Sequence, residues 1–274
     1  MKPIRRIAIG LAIAVAVIYA AAVGLLYFKQ RDFQYSPAGE IMALADTALG
    51  NAEVVTIPTR GGANLAAWFA PPSAGKPVIL YYKGNSGSFS KEHERFERFV
   101  ADGYGFLAFD YRGFPLSPGA ISQQSILEDS IAAFDWLDVK GFPIVIWGRS
   151  LGSGPATYAA SVRDADALFL ETPFLSAVTV AAERYWYVPV GLVMFDQFPS
   201  NQWIAAVAEP LFVAHGTADT TIGVSNGERL YALAPNPHGI WIEPGAGHAD
   251  LWARGIWDYA RSFFEVVKTP APGA

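Results

Sequence analysis

The chain contains no cysteine among its 274 residues. Disulfide bridges, zinc–thiolate sites and a cysteine nucleophile are therefore excluded. Histidine is also scarce, so only four side chains of this type could act as a general base. Charged residues make up 16% of the chain and hydrophobic residues 52%. Both values lie on the apolar side for a soluble protein, and 274 residues suffice for one sizeable α/β domain with an appendage.

Acidic residues are missing from the first 31 residues, which carry five basic ones. The rest of the chain holds 15 basic and 25 acidic residues, a net charge of −10. A body this acidic argues against a nucleic-acid partner, because neutralising phosphates requires a basic surface.

An uncharged stretch of 22 residues, Ile7–Phe28, accounts for part of the hydrophobic excess. As a helix it is long enough to cross the hydrocarbon core of a bilayer. Basic residues precede it, so we expect residues 1–31 to anchor the protein with its N-terminus cytoplasmic and its body on the outer, periplasmic or extracellular, side. Lys29 and Arg31, which are basic and follow the stretch, weaken the argument for this orientation. A signal peptide cleaved near Ala20–Ala22, giving a secreted protein, and a buried helix are the alternatives.

Beyond this segment, apolar runs alternate with segments of helical periodicity. Several runs are continuous, as expected for strands of a parallel sheet that is buried on both faces. The alternation predicts an α/β protein with a doubly wound, mostly parallel sheet of about eight strands, helices on both faces and ligands at the carboxyl ends of the strands. The predicted strands are Val54–Ile57, Leu65–Ala70, Val78–Tyr82, Gly105–Asp110, Ile144–Trp147, Ala167–Leu170, Leu211–Ala214 and Ile240–Ile242.

The predicted helices lie between these strands. Ser90 and Ser122 are predicted to cap the first two, since serine oxygens accept hydrogen bonds from the free N–H groups of a helix start. Pro155–Val162 and Val224–Leu233 are further candidates, and the last helix is predicted over Asp250–Val267.

Residues 32–268 are expected to form one domain, and the Pro/Ala/Gly tail 269–274 to be disordered. Only residues 174–208, rich in aromatic side chains, interrupt the alternation. This segment is either a small cap over the carboxyl edge of the sheet or a covering helix followed by a loop.

Ser150 lies in the sequence WGRSLGSG, after the apolar run Ile144–Trp147 and before a candidate helix. GxSxG alone is weak evidence, but a strand–turn–helix junction is where a nucleophilic serine adopts a strained, exposed conformation. Small neighbours are needed there because the strand and the helix nearly touch. We therefore interpret Ser150 as a nucleophile rather than an ordinary loop serine.

A serine nucleophile needs a base to remove its proton and a carboxylate to orient that base. In this architecture the order along the chain is serine, acid, histidine. His248 follows a strand and a glycine-rich loop, whereas His215 closes a strand and His238 precedes one, so His248 is the predicted base. Asp219, after the preceding strand, is the predicted acid, and Asp196 is the runner-up.

An oxyanion formed during acyl transfer needs two preorganised donors. The N–H of Leu151, directly after the nucleophile, is predicted as one. The loop after Val78–Tyr82 supplies the other, assigned to the N–H of Asn85 with Ser86 as the alternative. This chemistry needs no metal and no organic cofactor.

With these residues in place, the chain resembles α/β-hydrolases of the Bem46 type, a group that includes membrane-anchored, depalmitoylase-like serine hydrolases. The apolar N-terminus followed by RDFQY (residues 31–35) is similar to that family. The other matching segments occur in the family's order over about residues 71–250, and they are YYKGNSGS, FDYRGFPLSPG, WGRSLGSG, LETPF, FVAHGTADTTIGVSNGERL and PGAGHADL.

The resemblance implies a membrane-tethered serine hydrolase that cleaves a small-molecule carboxylic ester or thioester, with residues 32–268 as its catalytic domain. It identifies Ser150, Asp219 and His248 as the catalytic triad. The substrate-pocket candidates are Lys83, Gly84, Ser86, Thr172 and Phe174.

Lys83 departs from the family, which usually has a histidine before the Gly84–Asn85 pair. A charged lysine cannot accept a hydrogen bond, so we expect Lys83 to pair with Asp110 or Glu171. Two other functions remain open. One is an aminopeptidase that holds a substrate amine at Glu171 or Glu183, and the other is a non-catalytic binding protein on the same fold.

Overall fold

The structure is a computed structural model that describes residues 2–267. The tail 269–274, predicted to be disordered, lies outside the described residues. The strands are β1 (Glu53–Pro58), β2 (Asn64–Ala70), β3 (Val78–Tyr82), β4 (Gly105–Phe109), β5 (Ile144–Arg149), β6 (Ala167–Glu171), β7 (Leu211–Gly216) and β8 (Pro237–Glu243). The α-helices are α1 (Lys2–Gln34), α2 (His93–Ala101), α3 (Gln123–Asp138), α4 (Ser153–Val162), α5 (Ala177–Arg184), α6 (Val190–Val193), α7 (Ser200–Trp203), α8 (Ser225–Leu233) and α9 (Ile256–Val267).

One sheet of eight strands runs through residues 53–243 in the order β1-β2-β4-β3-β5-β6-β7-β8. The pairs β1–β2 and β2–β4 are antiparallel, and every later pair is parallel. The prediction of a mostly parallel sheet of about eight strands is therefore confirmed.

Both faces of the sheet are buried, which explains the continuous apolar runs. In β3, Val78, Leu80 and Tyr82 pack into the hydrophobic core on one side, together with residues of α3 and α4. Ile79 and Tyr81 point into the second core, together with residues of α2 and α9. The predicted placement of helices on both faces is also confirmed.

Two predicted helix starts are wrong. Ser88, not Ser90, caps the first helical segment, because its side chain accepts from the N–H of Ser90 and opens a 3-10 turn over Phe89–Glu92 before α2. The last helix begins at Ile256 rather than Asp250, since residues 251–255 form turns that end at Gly255 with a φ of 91°. The cap at Ser122 is confirmed, with Ser125 closing a reciprocal capping box.

The carboxyl ends of the parallel strands meet at one edge of the sheet, as in other doubly wound folds. Loops that follow β3, β5, β7 and β8 contain Asn85, Ser150, Asp219 and His248 respectively. The fold thus gathers at one edge four side chains that are far apart in the sequence.

Candidate active site

Ser150 sits in a strained turn between β5 and α4. Its φ is 51°, a left-handed value that is uncommon for a residue with a side chain. The two glycines of the motif permit this turn. A Cβ on Gly148 would lie 2.5 Å from the Cβ of Ala156, and one on Gly152 would collide with the carbonyl oxygen of Tyr82. Gly148 therefore allows β5 to approach α4, and Gly152 allows the turn to approach the end of β3.

Ser150, His248 and Asp219 form a continuous set of hydrogen bonds, called here the Ser-His-Asp arrangement. Ser150 Oγ lies 2.8 Å from His248 Nε2, and His248 Nδ1 lies 2.7 Å from Asp219 Oδ2. When Nδ1 carries the proton it donates to the carboxylate, which leaves Nε2 free to accept the serine proton. The three residues are thus placed as a nucleophile, a base and an orienting acid require.

Asp219 is held in its ionised form. Burial opposes its charge, but hydrogen bonds from His215, His248 and the N–H of Ile222 outweigh burial and keep the pKa of this carboxyl well below its usual range. The N–H groups of Thr221 and Ile222 donate to Oδ1 at 2.8 and 2.9 Å, which leaves Oδ2 to face His248.

His215 has a closer relation to the site than the sequence indicated. It closes β7 and is fully buried, as expected for a structural residue, yet its Nε2 lies 3.3 Å from Asp219 Oδ2 and 2.8 Å from the carbonyl oxygen of Ile222. It therefore helps to position the same carboxylate oxygen that faces His248. Its place four residues before Asp219, at the end of the same strand, is the signal that could have revealed it.

Asp196, the runner-up acid, is engaged elsewhere. Its carboxylate accepts two hydrogen bonds from Arg31, at 2.8 and 3.1 Å, and one from the Tyr35 hydroxyl at 3.1 Å. This pair joins a buried carboxylate to a half-exposed guanidinium and fastens the end of α1 to the segment 174–208. No such long-range pairing could be deduced from the sequence.

The loop after β3 lies next to the nucleophile. A Cβ on Gly84 would lie 3.7 Å from that of Ser150. The Asn85 side chain faces the end of α1, where it donates to the carbonyl oxygen of Gln34 at 2.7 Å and accepts from the N–H of Ser36 at 3.3 Å. Ser86 forms a bridge with Ser36. The backbone of this predicted oxyanion loop is thus tied to the segment that follows α1.

Lys83 does not form the expected ion pair. Its side chain is fully buried, and its Nζ donates to the carbonyl oxygen of Gly84 at 2.9 Å and lies 3.7 Å from the centre of the Phe114 ring. Burial lowers its pKa to about 7, although Asp110 opposes this shift. Asp110 instead accepts from the N–H of Phe89 and Leu116, because its loop folds around it.

Glu171, the other expected partner of Lys83, belongs to a buried ionic cluster below the serine turn. It lies 2.7 Å from Arg95 and 3.3 Å from Arg149, and it accepts from the Trp147 indole at 3.0 Å. Two guanidinium groups neutralise its charge, so Glu171 offers no site for a substrate amine. Glu183, the second acid considered for that role, does line the cavity at the nucleophile.

That cavity has a volume of about 840 Å³, and Ser150 and His248 are among the residues that line it. Among the predicted pocket residues, Gly84, Asn85, Ser86, Leu151 and Phe174 line it. Lys83 and Thr172 do not. Lys83 is buried behind the loop, and Thr172, with a φ of 48°, directs its N–H to the carbonyl oxygen of Ala214 inside the sheet.

Two regions supply much of the remaining wall, where apolar side chains stand beside polar ones such as Gln30 and Glu183. Residues of α5 and α6 and of the chain between them form one side, including Val180, Val188 and Val193. The end of α1 forms another, with Leu26 and Phe33. Its size and lining are those of a pocket for a small, largely apolar ligand. Within residues 2–267, no group of three or more His, Asp or Glu side chains could hold a metal ion.

α1 is long and apolar enough to cross a membrane. The most apolar 18-residue window of Pro3–Gln34 has a mean hydropathy of 2.6, and none of that window is buried against the protein. An anchor and a signal sequence share these properties.

No protein-family model matches the chain. The protein Rv2307c of Mycobacterium tuberculosis is 33% identical over 261 residues, which cover 91% of this chain and 93% of that protein. YfhR of Salmonella typhimurium is 31% identical over 74% of this chain and 76% of its own length. The bovine protein named lysophosphatidylserine lipase ABHD12 is 31% identical, over 59% of this chain and 46% of that protein.

Solved structures share the fold at lower identity. The esterase Pf2001 of Pyrococcus furiosus superposes with a TM-score of 0.67 at 20% identity, over 84% of this chain and 96% of that one. The α/β-hydrolase GrgF from a Penicillium species gives a TM-score of 0.66 at 15% identity, over 79% and 98%. Together with relatives that match over most of their length, these similarities assign the chain to the α/β-hydrolase superfamily.

Proposed function

We propose that this protein is a membrane-tethered serine hydrolase that cleaves a carboxylic ester or thioester. The Ser-His-Asp arrangement, which opens into a largely apolar cavity, is the observation that carries the proposal. The relative named as a lysophosphatidylserine lipase and the esterase with the same fold support an acyl substrate.

In the first half of the reaction, Ser150 Oγ attacks the acyl carbonyl while His248 Nε2 takes the serine proton. Asp219 holds the imidazole and stabilises the imidazolium that forms. The carbonyl π electrons move to oxygen, and the N–H groups of Leu151 and Asn85 stabilise that oxyanion. The intermediate then expels the alcohol or thiol, to which His248 gives its proton, and leaves the acyl group on Ser150.

Water completes the cycle. His248 removes a proton from the water that attacks the acyl-enzyme, and a second oxyanion forms in the same place. Its collapse releases the carboxylic acid, and the proton held by His248 returns to Ser150 Oγ. Reactants and products balance as ester plus water to acid plus alcohol, or thioester plus water to acid plus thiol.

The tether is assigned to α1. Basic residues at its beginning favour a cytoplasmic N-terminus and place the catalytic domain on the outer side of the membrane. At the other end, Lys29 pairs with Asp32 at 2.9 Å and Arg31 with Asp196 at 2.8 Å, so both cations there have a carboxylate partner.

Active-site labelling tests the chemistry. The full chain in detergent should react with a fluorophosphonate probe, and Ser150→Ala should abolish the reaction. Ser153→Ala is the matched control, because the Ser153 hydroxyl donates to the carbonyl oxygen of Ser150 and not to a base. A folded wild-type protein that does not react would contradict the proposal.

Substrate assays then distinguish between the classes of substrate. Acyl esters and thioesters of equal chain length separate the two leaving groups, and a series of p-nitrophenyl esters of rising length measures the acyl site. Turnover of aminoacyl arylamides without turnover of acyl esters would instead favour a peptidase that uses Glu183.

A further inference from the structure

We propose that residues 185–195, called here the cap loop, insert into the membrane leaflet beside α1 and open the cavity to lipid. This inference rests on the proposed anchoring by α1 and deepens the proposed hydrolase function. It identifies the substrate as a membrane-resident amphiphile whose acyl chain reaches Ser150 from the hydrocarbon.

The cap loop has the composition of a protein surface that contacts a membrane. Its sequence, YWYVPVGLVMF, contains eleven residues and no charge. Trp186 is 83% exposed and Leu192 is 89% exposed, and half of each of the Tyr187 and Phe195 side chains is exposed as well. Large apolar and aromatic side chains grouped in this way mark a contact with a protein or a membrane.

A hydrogen bond between α1 and the cap loop favours the membrane, rather than another protein, as the partner of this surface. The Tyr19 hydroxyl donates to the carbonyl oxygen of Tyr187 at 2.7 Å. Tyr19 lies nine positions before Phe28, the last residue of the uncharged stretch. At about 1.5 Å per residue, this places Tyr19 about 14 Å inside a hydrocarbon core about 30 Å thick. If α1 spans the bilayer, the part of the cap loop that contacts Tyr19 must lie within the bilayer too.

The backbone of the cap loop suits such a place, because polar groups in hydrocarbon need partners within the protein. The N–H groups of residues 188, 190, 192 and 194 donate to carbonyl oxygens of the loop, at 2.8 to 2.9 Å. Pro189 has no N–H. Gln30 of α1 adds two further hydrogen bonds to the loop, accepting from the N–H of Phe195 at 2.6 Å and donating to the carbonyl oxygen of Val193 at 3.1 Å.

Charges mark where the cap loop begins and ends. Arg184 precedes it, and Asp196, paired with Arg31, follows it. The loop therefore leaves the polar boundary, runs along α1 and returns to the same boundary. Phe195 packs edge-on against Tyr27 of α1, with ring centres 4.8 Å apart, at the level where aromatic side chains concentrate in membranes.

The same two elements line the cavity. Leu26 of α1 and Val188, Val193 and Met194 of the cap loop face the space that ends at Ser150. A chain of methylene groups can pass between these apolar walls without crossing water. A single-chain acyl ester of the bilayer fits this path, with its ester group at the polar boundary.

Single-cysteine spin labelling tests the insertion, since the chain has no cysteine of its own. The full-length variants Leu192→Cys, Val139→Cys and Ile13→Cys are labelled and inserted into phosphatidylcholine vesicles. Val139 is the matched control, an apolar residue that is 84% exposed beyond α3, at the opposite edge of the sheet. Ile13 reports on α1 itself.

The ratio of collisions with oxygen to collisions with a water-soluble nickel chelate is expected to be several times higher at Leu192 than at Val139, and close to that at Ile13. A hydrocarbon signal at Ile13 with an aqueous signal at Leu192 would overturn the insertion and leave the anchor intact. An aqueous signal at Ile13 would overturn both. Fluorophosphonate reactivity of the same samples tests the hydrolase function separately.

The route of the substrate has its own test. A charged residue inside the bilayer is strongly disfavoured, so Leu192→Glu should lower kcat/KM for a vesicle-borne monoacyl ester about tenfold. Leu192 does not line the cavity, and turnover of a short, water-soluble p-nitrophenyl ester should stay unchanged. Val139→Glu should affect neither rate. Equal rates of Leu192→Glu and wild type on the vesicle-borne ester would overturn access through the membrane.

Discussion

Replacing Lys83 by methionine should stabilise the protein in a pH-dependent way. The lysine side chain is fully buried, and its pKa is lowered from 10.5 to about 7, chiefly by burial. That difference corresponds to about 5 kcal/mol of cost for the charged form, at about 1.36 kcal/mol per pH unit. Methionine has a similar length and no charge, so it removes this cost.

The direction of the pH dependence follows from the number of protons bound by the folded and the unfolded state. An unfolded Lys83 keeps its proton up to its ordinary pKa of 10.5, whereas the folded one loses it near pH 7. Between these values the unfolded state binds the extra proton, so the free energy of unfolding rises with pH for the wild type. Below pH 7 both states are protonated and the full cost of the buried charge is present. The advantage of Lys83→Met should therefore shrink as pH increases.

Urea unfolding of the full chain in detergent, followed by tryptophan fluorescence between about pH 6 and about pH 9.5, measures the effect; the upper limit stays below the pKa of an unfolded tyrosine. The stability difference between variant and wild type should fall by about 3 kcal/mol over this range. Lys140→Met is the control, because Lys140 also lies over an aromatic ring, that of Trp136, but at the surface. A difference that does not change with pH would refute the reasoning.

Three further results are expected. Asp219→Asn should lower kcat for a p-nitrophenyl ester about a thousandfold with little change in KM, because the imidazolium loses its partner; a fall of less than about tenfold would contradict its role. Arg31→Met should cost about 2 kcal/mol in urea unfolding, because the buried Asp196 carboxylate then keeps only the Tyr35 hydroxyl while solvent reaches the half-exposed Arg31 position, and adding Asp196→Asn should recover most of that loss. Gly148→Ala should cost about 3 kcal/mol because its Cβ would meet a side chain of α4 at 2.5 Å, whereas Gly50→Ala, with open space around it, should be neutral in the same measurement.

Much of the fold is encoded in local patterns. Continuous apolar runs predicted the inner strands best, because β3, β4, β5 and β6 are buried on both faces and have almost no polar positions. The edge strands β1 and β8 are largely exposed, and shorter apolar segments predicted them. The residues of the Ser-His-Asp arrangement could be placed because each follows a recognisable strand, and parallel strands bring their carboxyl ends together.

Long-range contacts could not be predicted from such local patterns. The surroundings of Lys83 depend on Phe114, a residue 31 positions away in another loop. The pairing of Arg31 with Asp196 joins two segments 165 positions apart, and neither has a pattern that names the other. The structural reason is common to both cases, since tertiary packing decides which partner a buried charge receives.

Two contacts fix the end of α1 to the rest of the described chain. Arg31 pairs with Asp196, and the Asn85 side chain donates to the backbone carbonyl of Gln34, so no flexible linker separates α1 from the sheet. A flexible linker would let a tethered enzyme sweep a hemisphere whose radius grows with linker length. With α1 in a bilayer, as proposed above, Ser150 would instead be held at a constant height relative to the lipid. Turnover would then follow the mole fraction of substrate within the lipid plane rather than its bulk concentration, and an acyl group displayed far from the surface would stay beyond reach.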